Sequence, residues 1–188
     1  MPQESSSSSP KILFGFVGHP SSGKDTAAEY MVSKYGFTHL SSGDFFREYM
    51  KENNLGEPTR ENLSKIAHDL RATKGSDIVM QLALKRPEQK LIVSGLRAVP
   101  EAKTLKDNGG KLVAFVVPIE TRYERALKRG RIGEHITFEQ FHAADQKESR
   151  SSDPNGQNVD GVVELADILI KNDGTKDEFF KKLDDLVN

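Results

Sequence analysis

Gly18-His19-Pro20-Ser21-Ser22-Gly23-Lys24-Asp25-Thr26 is the stretch of this chain best suited to chemistry, and the chemistry is the holding of phosphate. The spacing G-x-x-x-x-G-K follows the apolar run 12–17 and opens a helical pattern. That order reads as strand, phosphate-binding loop, helix. Glycine lets successive backbone N–H groups turn inward, and the helix start adds unpaired donors and the positive end of its dipole. Gly18, Ser21, Ser22 and Gly23 would form the cradle, and Lys24 would add a mobile positive charge that follows the β- and γ-phosphates. A nucleoside triphosphate such as ATP is the expected ligand. The next residue is Asp25, where a Ser or Thr hydroxyl usually meets Mg2+, and Thr26 stands one place later. Asp25 is either a hard oxygen ligand for Mg2+, direct or through water, or a first-turn acid stabilised by the helix dipole.

Phosphoryl transfer asks for positioning and cation clamps more than for covalent chemistry. The remaining candidates are therefore arginines and strand-end turns. Arg122, Arg125 and Arg129 fall at i, i+3 and i+7, on one helical face that is either a phosphate clamp or a solvated basic face paired with Glu120 and Glu124. Arg125 and Arg129 stand nearest the charged segment that follows. In Ser42-Gly43-Asp44-Phe45-Phe46-Arg47, Ser42 and Gly43 can offer a hydroxyl and helix-start amides, with Arg47 one turn on. The same residues also suit a helix cap. In Ser94-Gly95-Leu96-Arg97, Gly95 allows close approach of a ligand and Arg97 either forks onto a phosphate or makes a surface ion pair.

These residues need strands and helices to place them. Continuous apolar runs at 12–17, 91–94, 112–117 and 168–171, with a short one at 38–40, suit a parallel sheet buried on both faces. Helical patterns at 24–34, 43–51, 60–73, 77–84, 100–108, 119–128, 138–149 and 176–187 alternate with them. Thr59 is the expected cap of the third helix, with Asn62 where a capping-box acid would stand. The prediction is a three-layer α/β/α fold with about five parallel strands. Residues 1–10 are polar and serine-rich and read as a disordered tail, leaving 11–188 as one domain. Residues 129–158 are charged and turn-rich, and read as a mobile lid or a solvated loop.

Composition narrows the classes. With 27 Lys and Arg against 28 Asp and Glu, there is no basic field for nucleic acid. No run has the apolar length of a membrane span. Cysteine is absent, which removes thiol catalysis, Cys-ligated zinc and disulfides, and permits a cytoplasmic location. The five histidines form no metal-spaced cluster, and His19 reads as a residue that shapes the loop or contacts it.

Residues 18–26, the segment 42–47, Gly95-Leu96-Arg97, the arginine-rich helix leading into a lid, and Asn172-Asp173-Gly174 together resemble the nucleoside monophosphate kinase group of P-loop kinases. The likeness extends to adenylate-kinase-like and dephospho-coenzyme-A-kinase-like nucleotide kinases, and covers nearly the whole chain from Lys11. The resemblance implies that Gly23, Lys24 and Thr26 hold donor phosphates, the Thr touching the α-phosphate. It also implies acceptor contacts from Ser42, Asp44 and Arg47 in a region of helices at about 43–84. Arg97 would grip the acceptor phosphate, and Arg125, Arg129 and Arg131 would bridge donor and acceptor from the lid. Asn172, Asp173 and Gly174 would line the donor adenine. Relatives often carry Asp where this chain has Ser94, and the segment 53–71 matches no particular acceptor base.

The leading expectation is transfer of the γ-phosphate of Mg-ATP to a nucleoside monophosphate or related small acceptor, by a monomer or small homo-oligomer. A hydroxyl kinase such as dephospho-coenzyme A kinase is the alternative, and it would need Asp44 or Asp25 as base. A third reading is a regulatory module with slow ATPase activity that acts through a partner.

Overall fold

A computed structural model describes residues 11–130, 136–153 and 155–187. Five strands, β1 (Ile12–Val17), β2 (Thr38–Ser41), β3 (Lys90–Ser94), β4 (Lys111–Val116) and β5 (Ile168–Lys171), form one sheet in the order β2-β3-β1-β4-β5. Every pairing is parallel. The expected three-layer α/β/α architecture with a five-stranded parallel sheet is what the chain adopts.

The continuous apolar strands work because alternate side chains feed two cores. Leu13, Val17, Leu91, Val93, Leu112 and Ala114 point to one face. There they meet α4 (Ile78–Leu84), α5 (Val99–Asp107) and α8 (Val159–Glu164). Phe14, Phe16, Ile92, Val113, Phe115 and Ile170 point to the other, against α1 (Lys24–Tyr35) and α9 (Lys176–Asp184). Gly15 faces the first core, and a Cβ there would lie 2.5 Å from Leu105 Cδ2 and 2.9 Å from Leu96 Cδ1. The central strand and α5 thus close to a distance that only glycine permits.

The other helices flank the sheet's carboxyl ends. α2 (Ser42–Glu52) starts directly from β2, and α3 (Arg60–Lys74) starts at Thr59, whose side chain accepts from Asn62 N as the sequence suggested. α6 (Ile119–Arg129) ends at Gly130, in the left-handed region at φ 60°. α7 (Phe138–Ser149) lies inside the charged segment 129–158 and is capped by a reciprocal Thr137–Gln140 box. Its Phe141 is buried, and Phe138 and Phe141 pack on Tyr123 of α6 with ring centroids 5.4 and 5.6 Å apart.

α8 was absent from the sequence expectation. Six residues with Gly161 inside have little helical tendency of their own. Burial of Val159 and Val162 forms it, together with Asn158, whose side chain accepts from Gly161 N at 2.9 Å. The expected tail 1–10 lies outside the described residues. No described helix is long and apolar enough to cross a membrane.

Candidate nucleotide site

The sheet's central strand β1 delivers the loop 18–23 to the start of α1. Ser21 and Gly23 hold positive φ angles of 64° and 96°, the kind of backbone that turns consecutive N–H groups toward one point. Gly23 is obligatory for a second reason, since a Cβ there would strike the side-chain amide of Asn172. That amide donates to Ser22 O at 2.9 Å, and Asn172 O accepts from Arg125 Nη2 at 2.8 Å. One residue after β5 therefore braces the phosphate loop and the α6 arginine together. Ser22, within the loop, is fully buried, with its hydroxyl unpartnered among the described residues.

Lys24 opens α1. Burial pushes its ammonium below the ordinary lysine range, Asp25 and Glu148 oppose that shift, and Arg97 and Arg129 add to it. The fold has gathered those four charges around one lysine from α1, α7, the turn after β3 and α6. A small pocket of about 160 Å3 beside them is lined by Gly23, Thr26, Arg125, Arg129, Asn172, Lys176 and Phe179. Lys176 and Phe179 were not anticipated, because only the packing of α9 on α1 brings them to the loop. Arg125 has its own charge disfavoured by burial and by Arg129, a state that a bound anion would relieve. Gly174 is not among the residues lining that pocket, and Arg131 lies outside the described residues.

The arginine face divides. Arg122 is buried and forks onto Asp145 of α7 at 2.6 and 2.7 Å, so it is a structural residue and no clamp. Asp145 also lies 3.2 Å from His19 Nδ1, and His19 Nε2 is 2.9 Å from Asp160 of α8. His19 therefore ties the phosphate loop to two helices. Burial and Arg122 disfavour the His19 imidazolium, but the Asp145 and Asp160 carboxylates beside its two ring nitrogens outweigh them and raise its pKa. A folded-state pKa above the unfolded value near 6.5 means that His19 stabilises fully below that pH. The contribution fades as pH rises through the folded value. Melting temperature measured against pH should show this slope in the native chain and lose it in His19→Gln; identical slopes would remove His19 from that role.

The predicted acceptor residues fall in two groups. Asp44 and Arg47 line an open cleft of about 630 Å3 with Glu48, Met50, Lys51 and Pro58. Arg47 Nη1 donates to Asp44 Oδ1 at 2.6 Å, and Gly43 lies against that guanidinium. Ser42 departs from expectation. Its hydroxyl is buried and donates to Gly95 O at 2.8 Å, stitching the end of β2 to the end of β3 instead of pointing at a ligand. Gly95, at φ 77°, has no room for a Cβ because Ser42 Oγ would be 2.6 Å away. Ser94 is likewise committed, 2.7 Å from His39 Nε2, and burial holds that histidine toward its neutral form against Asp25, Asp44 and Glu29.

Arg97 is held from both ends. Its N–H, with that of Ala98, donates to the fully buried Glu101 at 2.8 and 3.0 Å, and Glu101 also pairs with buried Arg71 of α3. Its guanidinium donates to Glu148 of α7 at 2.9 Å and to Gln157 at 3.0 Å. No group of three or more His, Asp or Glu placed to hold a metal occurs among the described residues. Asp25 remains a single first-turn carboxylate beside Lys24.

This geometry agrees with three kinds of likeness. A family model described as an AAA domain matches residues 17–140. A UPF0200 protein of Thermococcus gammatolerans is 33% identical over 181 residues, which are 91% of this chain and 91% of that protein. The UPF0200/UPF0201 protein of Archaeoglobus fulgidus is 31% identical over 180 residues, and the chain spans only 53% of its length. Among solved structures, TT1252 from Thermus thermophilus superposes with a TM-score of 0.63 at 17% identity, over 95% of this chain and 97% of that one. Shikimate kinase from Acinetobacter baumannii, in complex with shikimate, gives a TM-score of 0.55 at 15% identity, over 94% and 93%. The structures share the fold, a kinase-like P-loop domain, and the sequence relatives carry the finer kinship: the chain belongs to the UPF0200 family.

Proposed function

We propose that this chain is an ATP- and Mg2+-dependent phosphotransferase whose acceptor is a nucleoside monophosphate. The observation that carries the reading is the gathering of Arg97 and Arg129 within charge range of the loop residue Lys24, with Arg125 and Arg129 lining the loop pocket. Such a distribution of cations suits two anionic partners meeting end to end. The loop amides and Lys24 would hold the β- and γ-phosphates, Thr26 the α-phosphate, and Arg125 and Arg129 the charge that develops on the moving group. Asn172 would line the donor pocket while keeping the loop in shape. Mg2+ would neutralise the phosphates; Asp25 fits it as one oxygen ligand, the rest coming from phosphate and water.

An acceptor phosphate oxygen attacks the γ-phosphorus, the bond to the β–γ bridging oxygen breaks, and ADP leaves. No proton needs removing. The hydroxyl-kinase alternative does need a base, and Asp44 suits that task poorly because its side chain is 75% exposed and tied to Arg47. The region 129–158, containing α7, would serve as the lid.

The test is ADP release from Mg-ATP against AMP, CMP, UMP, GMP, their deoxy forms, dephospho-coenzyme A and shikimate. Turnover with one or two monophosphates is expected. Turnover with a hydroxyl acceptor alone would overturn the reading, and silence with ATP still bound would favour the regulatory module.

A further inference from the structure

Glu148 stands in the last turns of α7, with its side chain only 9% exposed. One carboxylate oxygen accepts from Arg60 Nη2 at the start of α3, and the other from Arg97 Nη1 after β3 at 2.9 Å. Gln157 Oε1 takes a second bond from the same Arg97 nitrogen at 3.0 Å. Glu148 is also near enough to Lys24 to act on its charge.

Two elements distant in sequence thus aim guanidiniums at one carboxylate, at the carboxyl edge of the sheet where open α/β folds bind ligands. As a stabilising device the arrangement is poor, because desolvating a carboxylate offsets much of its attraction to the arginines. As a receptor it is apt: two guanidiniums from different elements present a forked donor set to a tetrahedral or planar anion.

We propose that Arg60 and Arg97 form the acceptor-anion receptor of this site, and that Glu148 occupies it as an internal surrogate which the incoming phosphate displaces. The acceptor's identity rests on the phosphotransferase reading; the receptor itself does not. Arg60 is thereby a substrate-binding residue, and Glu148 sets the affinity at which the acceptor competes. Because α7 also carries Asp145, which reaches His19 in the phosphate loop, the helix that yields Glu148 is the one that touches the donor loop.

The probe is inorganic phosphate, titrated calorimetrically without ATP into the native chain, Glu148→Gln, Arg60→Ala and the Glu148→Gln/Arg60→Ala pair. Glu148→Gln also removes a negative charge near Lys24, so any gain at the phosphate loop is the part that persists in the double variant. Removing an internal competitor raises apparent affinity by the reciprocal of the fraction of receptor it had left free, so a receptor blocked about nine-tenths of the time should bind about tenfold tighter in Glu148→Gln. That gain should vanish in the double variant. Unchanged or weaker binding by Glu148→Gln would make the carboxylate a support for Arg97 and overturn the proposal, as would a gain that survives loss of Arg60 undiminished. If Glu148→Gln melts too early to titrate, Gln157→Glu places a second carboxylate on Arg97 and should weaken phosphate binding several-fold; unchanged affinity there also overturns it. Because no turnover is measured, failure of the acceptor panel leaves this result standing, and the converse holds.

Discussion

Lys24→Ala should lower phosphotransfer by about 10²-fold to 10³-fold, the usual consequence of losing one positioned donor to a developing phosphate charge. Its fold should survive. The ammonium is disfavoured by burial and crowded by Arg97 and Arg129, so alanine relieves a local strain of charge while leaving the core untouched. A melting temperature within about 2–4 °C of the native chain, equivalent to about 1 kcal/mol, is the expected companion result. Lys24→Arg should fail nearly as badly, because a planar fork cannot track the phosphates as a compact ammonium does. Coupled ADP-release kinetics beside a thermal melt separate the two effects. Activity within tenfold of native in Lys24→Ala would move the donor site away from residues 18–26.

Arg122→Ala should do the opposite, damaging stability first. Arg122 and Asp145 are 6% and 8% exposed at their side chains and are joined by two hydrogen bonds. Removing Arg122 leaves the buried carboxylate with His19 as its one remaining cationic partner among the described residues, and breaking such a pair costs about 3–5 kcal/mol. For a domain of this length that lowers the melting temperature by roughly 6–20 °C. Burial works against the Asp145 charge, yet Arg122 and His19 hold its carboxyl far below the usual range. A depressed folded-state pKa contributes stability above the unfolded value near 3.9, and that contribution is lost as pH falls through the folded one. The native chain should therefore resist acid better than Arg122→Ala. Arg129→Ala, on the exposed end of the same helix, should leave the melt unchanged and impair phosphotransfer. An Arg122→Ala melt equal to native would return Arg122 to the functional face.

The two predictions divide a helix face that looks uniform in sequence. Arg122, Arg125 and Arg129 share a stripe because 3.6-residue periodicity puts them there. What separates them is distance from α7 and from Asn172, and neither is encoded in spacing. Ser42 shows the same limit. Its position at the end of β2 was legible, but whether its hydroxyl met a ligand or the Gly95 carbonyl depended on β2 lying beside β3.

Local physics settled a good deal from the sequence alone. The apolar runs specified five parallel strands, the central three buried on both faces, the glycine spacing specified a phosphate loop, and Thr59 specified a helix start; each depends on residues within a few positions of one another. Only the tertiary structure decided that α8 forms, that Lys176 and Phe179 reach the loop pocket, and that Arg60, Arg97 and Glu148 meet. Those outcomes are sums of burial and charge over elements as much as 150 residues apart, such as the Asn172 amide on Ser22. A short-range pattern carries no record of which distant partner will desolvate a group or neutralise it.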